Sequence, residues 1–558
     1  MTTRHRFAPR GPHAQRVPRS LVVLVALPLL SALACSSDDP PSADSAAPGE
    51  DTAVPSERSA VVAPTTVTTS PPGPADTALA GLSIEPAGMF PAFRPEAHDY
   101  AIPCDEGTNT LRITASAVDG AGVEVSGIDD RGEVSVEDGE LVRITTSMGD
   151  DTSDYWVRCL PPDFPPLSID RPGEPAAGWY LLSPSLDFRP PDPTALLSYA
   201  VILDAYGAPV WYQRVVEDLT KAGGFIVDFK RLPNGNLAWK TAKDPFGLND
   251  LGYGEHDLDG RAVSTWKTVG SPTDHHDLLQ LPNGNRMMIS YHHRTGVDVS
   301  ALGTFGEPST VVDGWLQEVT PEGKVAWEWR SEDHLSFDEV PESIRTLEDG
   351  VSQTVMGPDG AQQVFVDPVH PNSVELDPET GDVIMSARST NAVYKIRRNP
   401  GGDDDGDVLW KLGGNEPAGS ATVDLQLIDD PLNGPVAQHD ARITPDGHVS
   451  IFDNRSGRQG EPARAVAYEV DEGAGTARLV ASISEPGGAN SAAMGAATYA
   501  ADGSVVVGWG RAPTLFTEFD REGAVLLEAK SRPDLYTYRV QKVPPEVFDA
   551  NELRERAG

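Results

Sequence analysis

From about residue 178 onward the sequence keeps returning to one pattern: an apolar strand, a turn of Pro, Asn, Asp and Gly, and a second apolar strand. Such a repeat constrains the fold more than any single residue, because each copy is a supersecondary unit that must stack on its neighbours to bury its apolar face. One half-unit reads FIVDFKRLPNGNLAWKT, HHDLLQLPNGNRMMISY, HPNSVELDPETGDVIMSAR, QHDARITPDGHVSIFDN and ATYAADGSVVVGWG, with WYLLSPSLDF as a degenerate first copy. The other reads VILDAYGAPVWYQR, EHDLDGRAVSTWKT, LQEVTPEGKVAWEWR, VYKIRRNPGGDDDGDVLWKL, YEVDEGAGTARLVASIS and FTEFDREGAVLLEAK, often ending in Trp. Two half-units make four strands, and about six pairs predict an all-β, six-bladed β-propeller over 178–558. At 558 residues the chain is too long for one ordinary compact domain, and its 53 Gly and 49 Pro suit many short strands joined by turns. ESIRTLED, Glu342 to Asp349, predicts only a short helix in a loop.

The repeat also sorts the histidines. Aligned on Leu232, Leu281, Leu376 and Thr444, the copies place Asp228, Asp277, Asn372 and Asp440 four positions earlier. His276 and His439 fall five positions earlier, and His275 and His370 six. Neighbouring strand positions face opposite ways, but these residues open their strands, where a loop mouth re-aims a side chain. All are expected at one end of the central channel. Arg388 ends the second strand of its hairpin and is expected to return to that end. Three imidazoles and a guanidinium suit a small anion gripped through paired oxygens. His439 reads as a nucleophile with one ring nitrogen free and the other held by an acceptor. Taken alone, it reads rather as a polar residue at a strand start, bonded to backbone. Zinc on three histidines is the rival reading, and Arg388 weighs against it. Asp277 and Asp440 either orient imidazoles or close turns. His292, His293, His334 and His448 read as surface, and Asp403 to Asp407 as a solvated acidic turn. There is no nucleotide-binding motif.

The formal net charge of -40 argues against nucleic acid and against an electrostatic grip on anionic lipid. Any anionic substrate must therefore find its positive charge locally, in the His/Arg cluster. The chain opens with Arg4, Arg6, Arg10, Arg16 and Arg19, followed by the apolar run Leu21 to Cys35. This reads as an export signal. Cys35 after Ala-Leu-Ala resembles the lipid-modified cysteine of bacterial lipoproteins, with Ala32 where Leu is usual. Residues 36–79 read as a disordered Pro/Ser/acid tether, and the protein is expected to be exported, a cell-surface or periplasmic lipoprotein held to the bacterial membrane only by lipid.

Residues 80–162 alternate apolar and polar positions between Gly/Asp turns and predict a small antiparallel β-sandwich. LSIEPAGMFPAFRPEAHDYAIPC, closed later by SDYWVRCL, resembles the cadherin-like modules of exported bacterial proteins. Export permits a disulfide, and a Cys104–Cys159 bridge is favoured over two free thiols. Residues 163–177 read as a stiff Pro-rich linker.

The stretch HPNSVELDPETGDVIMSARSTNAVYKIRR, then VLWKLGG, then QHDARITPDGHVSIFDNRSG, with HHDLLQLPNGN upstream, resembles the arylsulfotransferase family. The resemblance implies a six-bladed propeller beside a β-sandwich. It implies sulfuryl transfer from a phenolic ester to a phenol, without a nucleotide donor or other cofactor. Carried over by motif, the sulfated histidine is His439. The other histidines are His276 and His370, with His275 as the alternative to His276. The arginine is Arg388, and Asn372 contacts the sulfuryl group. The residues alone leave two rivals open: an ester hydrolase at the same site, and a propeller that binds an anion without catalysis.

Overall fold

The computed structural model describes residues 77–186, 198–215, 225–242, 246–248, 250–303, 305, 309–347, 350–356, 362–415 and 422–558. The expected export segment, Cys35 and the tether as far as residue 76 lie outside the described residues. The tether's expected end at 79 falls inside the first strand, Leu79–Glu85. No helix among the described residues is long and apolar enough to cross a membrane.

Residues 79–160 build two sheets over one apolar core. Leu79–Glu85, Thr108–Ala117 and Glu133–Glu137 form the first. Asp99–Pro103, Asp151–Leu160, Leu141–Met148 and Gly122–Val125 form the second. Leu82, Ile84, Tyr100, Ile102, Leu111, Val142 and Tyr155 fill the space between. The expectation of a wholly antiparallel unit needs correcting: Asp99–Pro103 and Asp151–Leu160 pair in parallel, Ile102 opposite Cys159. That pairing brings Cys104 to Cys159, which are disulfide-bonded with Cα atoms 5.5 Å apart.

Six further sheets follow in chain order, and the expected half-units fold as hairpins, except WYLLSPSLDF, whose residues Trp179–Leu186 are a single strand. The turns explain why. In LPNGN the Leu232 N–H donates to the Asn236 carbonyl at 2.8 Å, and Gly235 turns the chain at φ 94°. Only glycine enters that region without strain, so Asn-Gly fixes the register of the two strands. Leu281 to Asn285 repeats the same bonds. The short helix in ESIRTLED is present as Glu342–Arg345.

The inner strands of the second to sixth sheets are Phe225–Arg231, Thr273–Gln280, Pro371–Leu376, His439–Ile443 and Ala496–Tyr499. The first sheet holds Trp179–Leu186, Tyr199–Leu203 and Pro209–Arg214, and its inner edge is completed by Leu535–Val543 from the far end of the chain. Each inner strand packs against the next, and Leu535–Val543 touches both Ala496–Tyr499 and Phe225–Arg231. The six inner edges thus close on themselves. The expected linker is more than a spacer: its residues Ser168–Asp170 join the sixth sheet beside Val525–Lys530.

Candidate active site

Five of the six inner strands break register where the repeat places its polar residues. The irregularities lie between Val227 and Lys230, Thr273 and Leu278, Pro371 and Ser373, His439 and Arg442, and Thr537 and Val540. A bulge leaves residues unpaired and re-aims their side chains. This is how neighbouring residues, which a regular strand sends to opposite faces, come to serve one site. Asp228, His370 and Asp440 each take φ 55° there.

The bulges bring His276, His370, His439 and Arg388 together. The rings of His276 and His370 meet edge to face with centroids 4.8 Å apart. The charges that act most on His439 are those of Arg388, His276 and His370. Arg388 opens a short 3-10 turn; its N–H donates to the His370 carbonyl at 3.0 Å, and its Nη1 to the Gly350 carbonyl at 3.1 Å. His275 stacks on His276 at 4.1 Å, and its Nδ1 bonds to the Tyr291 hydroxyl at 2.7 Å. Of the two alternatives, His276 is the one whose ring meets that of His370. Asn372 is fully buried; its Nδ2 donates to the Gln438 carbonyl at 2.7 Å, which ties it to the strand carrying His439.

Each clustered imidazole is held at Nδ1. Asp274 holds His276 at 2.7 Å, Asp367 holds His370 at 2.7 Å, and Asn454 holds His439 at 2.8 Å. The Nε2 of His439 accepts from the backbone N–H of Met494 at 3.2 Å. Burial pushes His439 well below the ordinary imidazole range; Arg388, His276 and His370 push it the same way, and the Asn454 bond opposes them. Burial also lowers His370, against the pull of Asp367. His439 is thus held neutral, with a lone pair on Nε2.

The sequence reading missed Asp274, Asp367, Asn454 and Tyr538. Asp274 and Asp367 lie two and three residues before their histidines, and an acid that close ahead of a site histidine was the available signal. Tyr538 sits with its ring 6.0 Å from that of His276 and comes from a strand with no histidine to mark it.

Asp277 and Asp440 do not orient imidazoles. With Asp228 they neutralise Lys230, Arg442 and Arg539 in a buried layer on the turn side of the histidines. Lys230 reaches Asp228 at 2.7 Å and Asp277 at 2.6 Å, Arg442 reaches Asp277 and Asp440 at 2.8 Å, and Arg539 reaches Asp440 at 3.0 Å and pairs with Asp228. Burial would raise Asp277, but Arg442, Lys230 and Arg539 hold its carboxyl well below the usual range. A cavity of about 450 Å³, lined by Leu232, Gln280, Glu375, Thr444 and Gln541 among others, opens beyond this layer. His292 and His293, expected at the surface, are half-buried; His292 stacks on Trp315 with centroids 3.9 Å apart.

Ligand-type atoms of Asp274, His275 and His276 lie within 4.8 Å of one another. Within this group one Asp274 oxygen is bonded to Nδ1 of His276, and Nδ1 of His275 is bonded to the Tyr291 hydroxyl.

Residues 178–539 match the family model described as arylsulfotransferase (ASST). The chain belongs to the arylsulfotransferase family. The match takes in all four clustered residues of this arylsulfotransferase-family protein and Tyr538. No curated protein matches it. Among solved structures it is similar to a protein of unknown function from Bacteroides caccae, at 11% identity over 66% of this chain and 99% of that one, TM-score 0.38. It is also similar to the periplasmic gluconolactonase of Pseudomonas aeruginosa, at 13% identity over 65% and 99%, TM-score 0.35. A third is virginiamycin B lyase from Staphylococcus aureus, at 10% identity over 69% and 90%, TM-score 0.30. Likeness at this level brings neither activity nor substrate to the arylsulfotransferase-family chain.

Proposed function

We propose that residues 178–558 are a six-bladed β-propeller, preceded by a cadherin-like β-sandwich, that moves a sulfuryl group from a phenolic sulfate ester to a phenol. The observation that carries this reading is the meeting of Arg388 with three imidazoles, one of which, His439, is held neutral with its Nδ1 bonded to Asn454. In the first half-reaction the Nε2 of His439 attacks sulfur in line, taking the place of the Met494 N–H that now covers it. Arg388, His276 and the second amide hydrogen of Asn372 stabilise the charge that grows on the sulfuryl oxygens. His370, backed by Asp367, gives a proton to the departing phenol oxygen and later takes one from the acceptor phenol. The chemistry calls for no nucleotide donor and no other cofactor. In this reading the enzyme is exported and tethered to the membrane through lipid on Cys35.

The test is release of 4-nitrophenol from 4-nitrophenyl sulfate by the purified protein, with and without added phenol. Release that depends on phenol is expected. Release that ignores phenol would mean ester hydrolysis, and silence on this and related esters would mean a binding protein. His439→Ala is expected to lower the phenol-dependent rate on the order of a thousandfold or more. A His439→Ala enzyme with full turnover would sink the mechanism.

A further inference from the structure

The three clustered histidines differ in what holds them. His276 and His370 are backed by carboxylates, those of Asp274 and Asp367, while His439 is backed by an amide. The orientation of that amide is fixed by its other end, because the Nδ2 of Asn454 donates to the Met494 carbonyl at 2.8 Å. Its Oδ1 therefore faces His439, and an amide oxygen only accepts, so Nδ1 of His439 carries the proton. The Met494 N–H leads independently to the same tautomer, since it needs a lone pair on Nε2. Asn454 is fully buried. The largest charge effects on His439 come from Arg388, His276 and His370.

We infer that Asn454 is a positioning residue that keeps sulfated His439 reactive, and that the Nδ1 partner assigns each imidazole its task. The carboxylate-backed rings serve oxygen atoms, His370 by moving the proton and His276 by steadying the sulfuryl group, and the amide-backed ring carries the sulfuryl group. This rests on the sulfuryl-transfer reading above. In the first half-reaction the Nε2 lone pair forms the N–S bond and the S–O bond to the donor breaks. Its electron pair leaves on the phenol oxygen, which takes a proton from His370. The product is a sulfated imidazolium, because Asn454 offers no base to remove the Nδ1 proton. A cationic ring is a good leaving group. The acceptor oxygen bonds to sulfur, its proton goes to His370, and the N–S electron pair returns to Nε2. A carboxylate at position 454 would draw off the Nδ1 proton and leave a neutral, more durable sulfated imidazole. Its departure would have to form an imidazolate.

The experiment compares wild type with Asn454→Asp. Each is loaded with 4-nitrophenyl sulfate without acceptor, checked by mass spectrometry for one sulfuryl group on His439, and then given phenol. The variant is expected to load, with a burst of wild-type size, and to hold its adduct at least about tenfold longer in phenol, a barrier change of one decade. A merely structural role would slow loading and discharge together. An adduct that discharges as fast as the wild type's would overturn the inference while leaving sulfuryl transfer intact. A wild type with no adduct on His439 would sink both. Should Asn454→Asp fail to fold, Asp367→Asn carries the test. It is expected to cost little with 4-nitrophenyl sulfate, whose phenolate leaves unaided, and much more with phenyl sulfate. Equal losses would overturn the assignment.

Discussion

His439 is a single side chain whose surroundings all act on one property, the availability of its lone pair. Burial, then Arg388 and His276, hold its protonation well below the ordinary value of 6.5. A lowered value means the ring stays unprotonated as pH falls through 6.5 and is quenched only at lower pH. Single-turnover loading with 4-nitrophenyl sulfate should therefore show its acid limb below 6.5. Arg388→Met removes a cation and should move that limb upward, besides slowing the reaction; a limb at or above 6.5 in the wild type would contradict the geometry. The repeat lines up His276, His370 and His439 in the sequence, and Arg388 stands out only by its place at the end of one hairpin. Their supports were not legible there. Asp274, Asp367 and Asn454 sit at three different distances from their histidines, and a hydrogen bond across a bulge obeys no common offset.

The inner strand with its bulge is the element that does the placing, and the polar residue after each histidine position shows the limits of reading it from spacing. Asp277, Asn372 and Asp440 hold equivalent places, yet two of them face cations and one faces a carbonyl. What decides is the residue carried by a neighbouring strand, such as Arg539, and sequence spacing within one strand is blind to that. Arg539 pairs with Asp228, Asp277 and Asp440 at once. Removing one member of a buried, balanced set leaves uncompensated charge, which costs about 3–5 kcal/mol. Arg539→Met should lower the free energy of unfolding by roughly that amount in a denaturant titration. A loss under about 1 kcal/mol would show that water reaches the layer and screens it.

At the scale of the whole molecule the strand–turn–strand repeat foretold the hairpins and their order. The closing strand went unforeseen, because Leu535–Val543 has no turn and no hairpin partner; its partner Trp179–Leu186 lies at the other end of the repeat. The tail beyond it ties further parts together: Leu553 packs in the cluster with Trp179 and Trp211, and Arg554 pairs with Asp99 at 2.6 Å. Ending the chain after residue 548 should spare the ring and loosen residues 79–160, seen as earlier proteolysis there with phenol-dependent turnover retained. Ending it before residue 535 should abolish turnover. A six-sheet ring closed by its last strand also has a temporal meaning. Every histidine of the cluster is synthesised before Tyr538 and Arg539, which complete the centre from the closing strand. A half-made chain thus carries the clustered residues without the strand that completes their surroundings, and on the proposed function turnover would wait until the ring is shut.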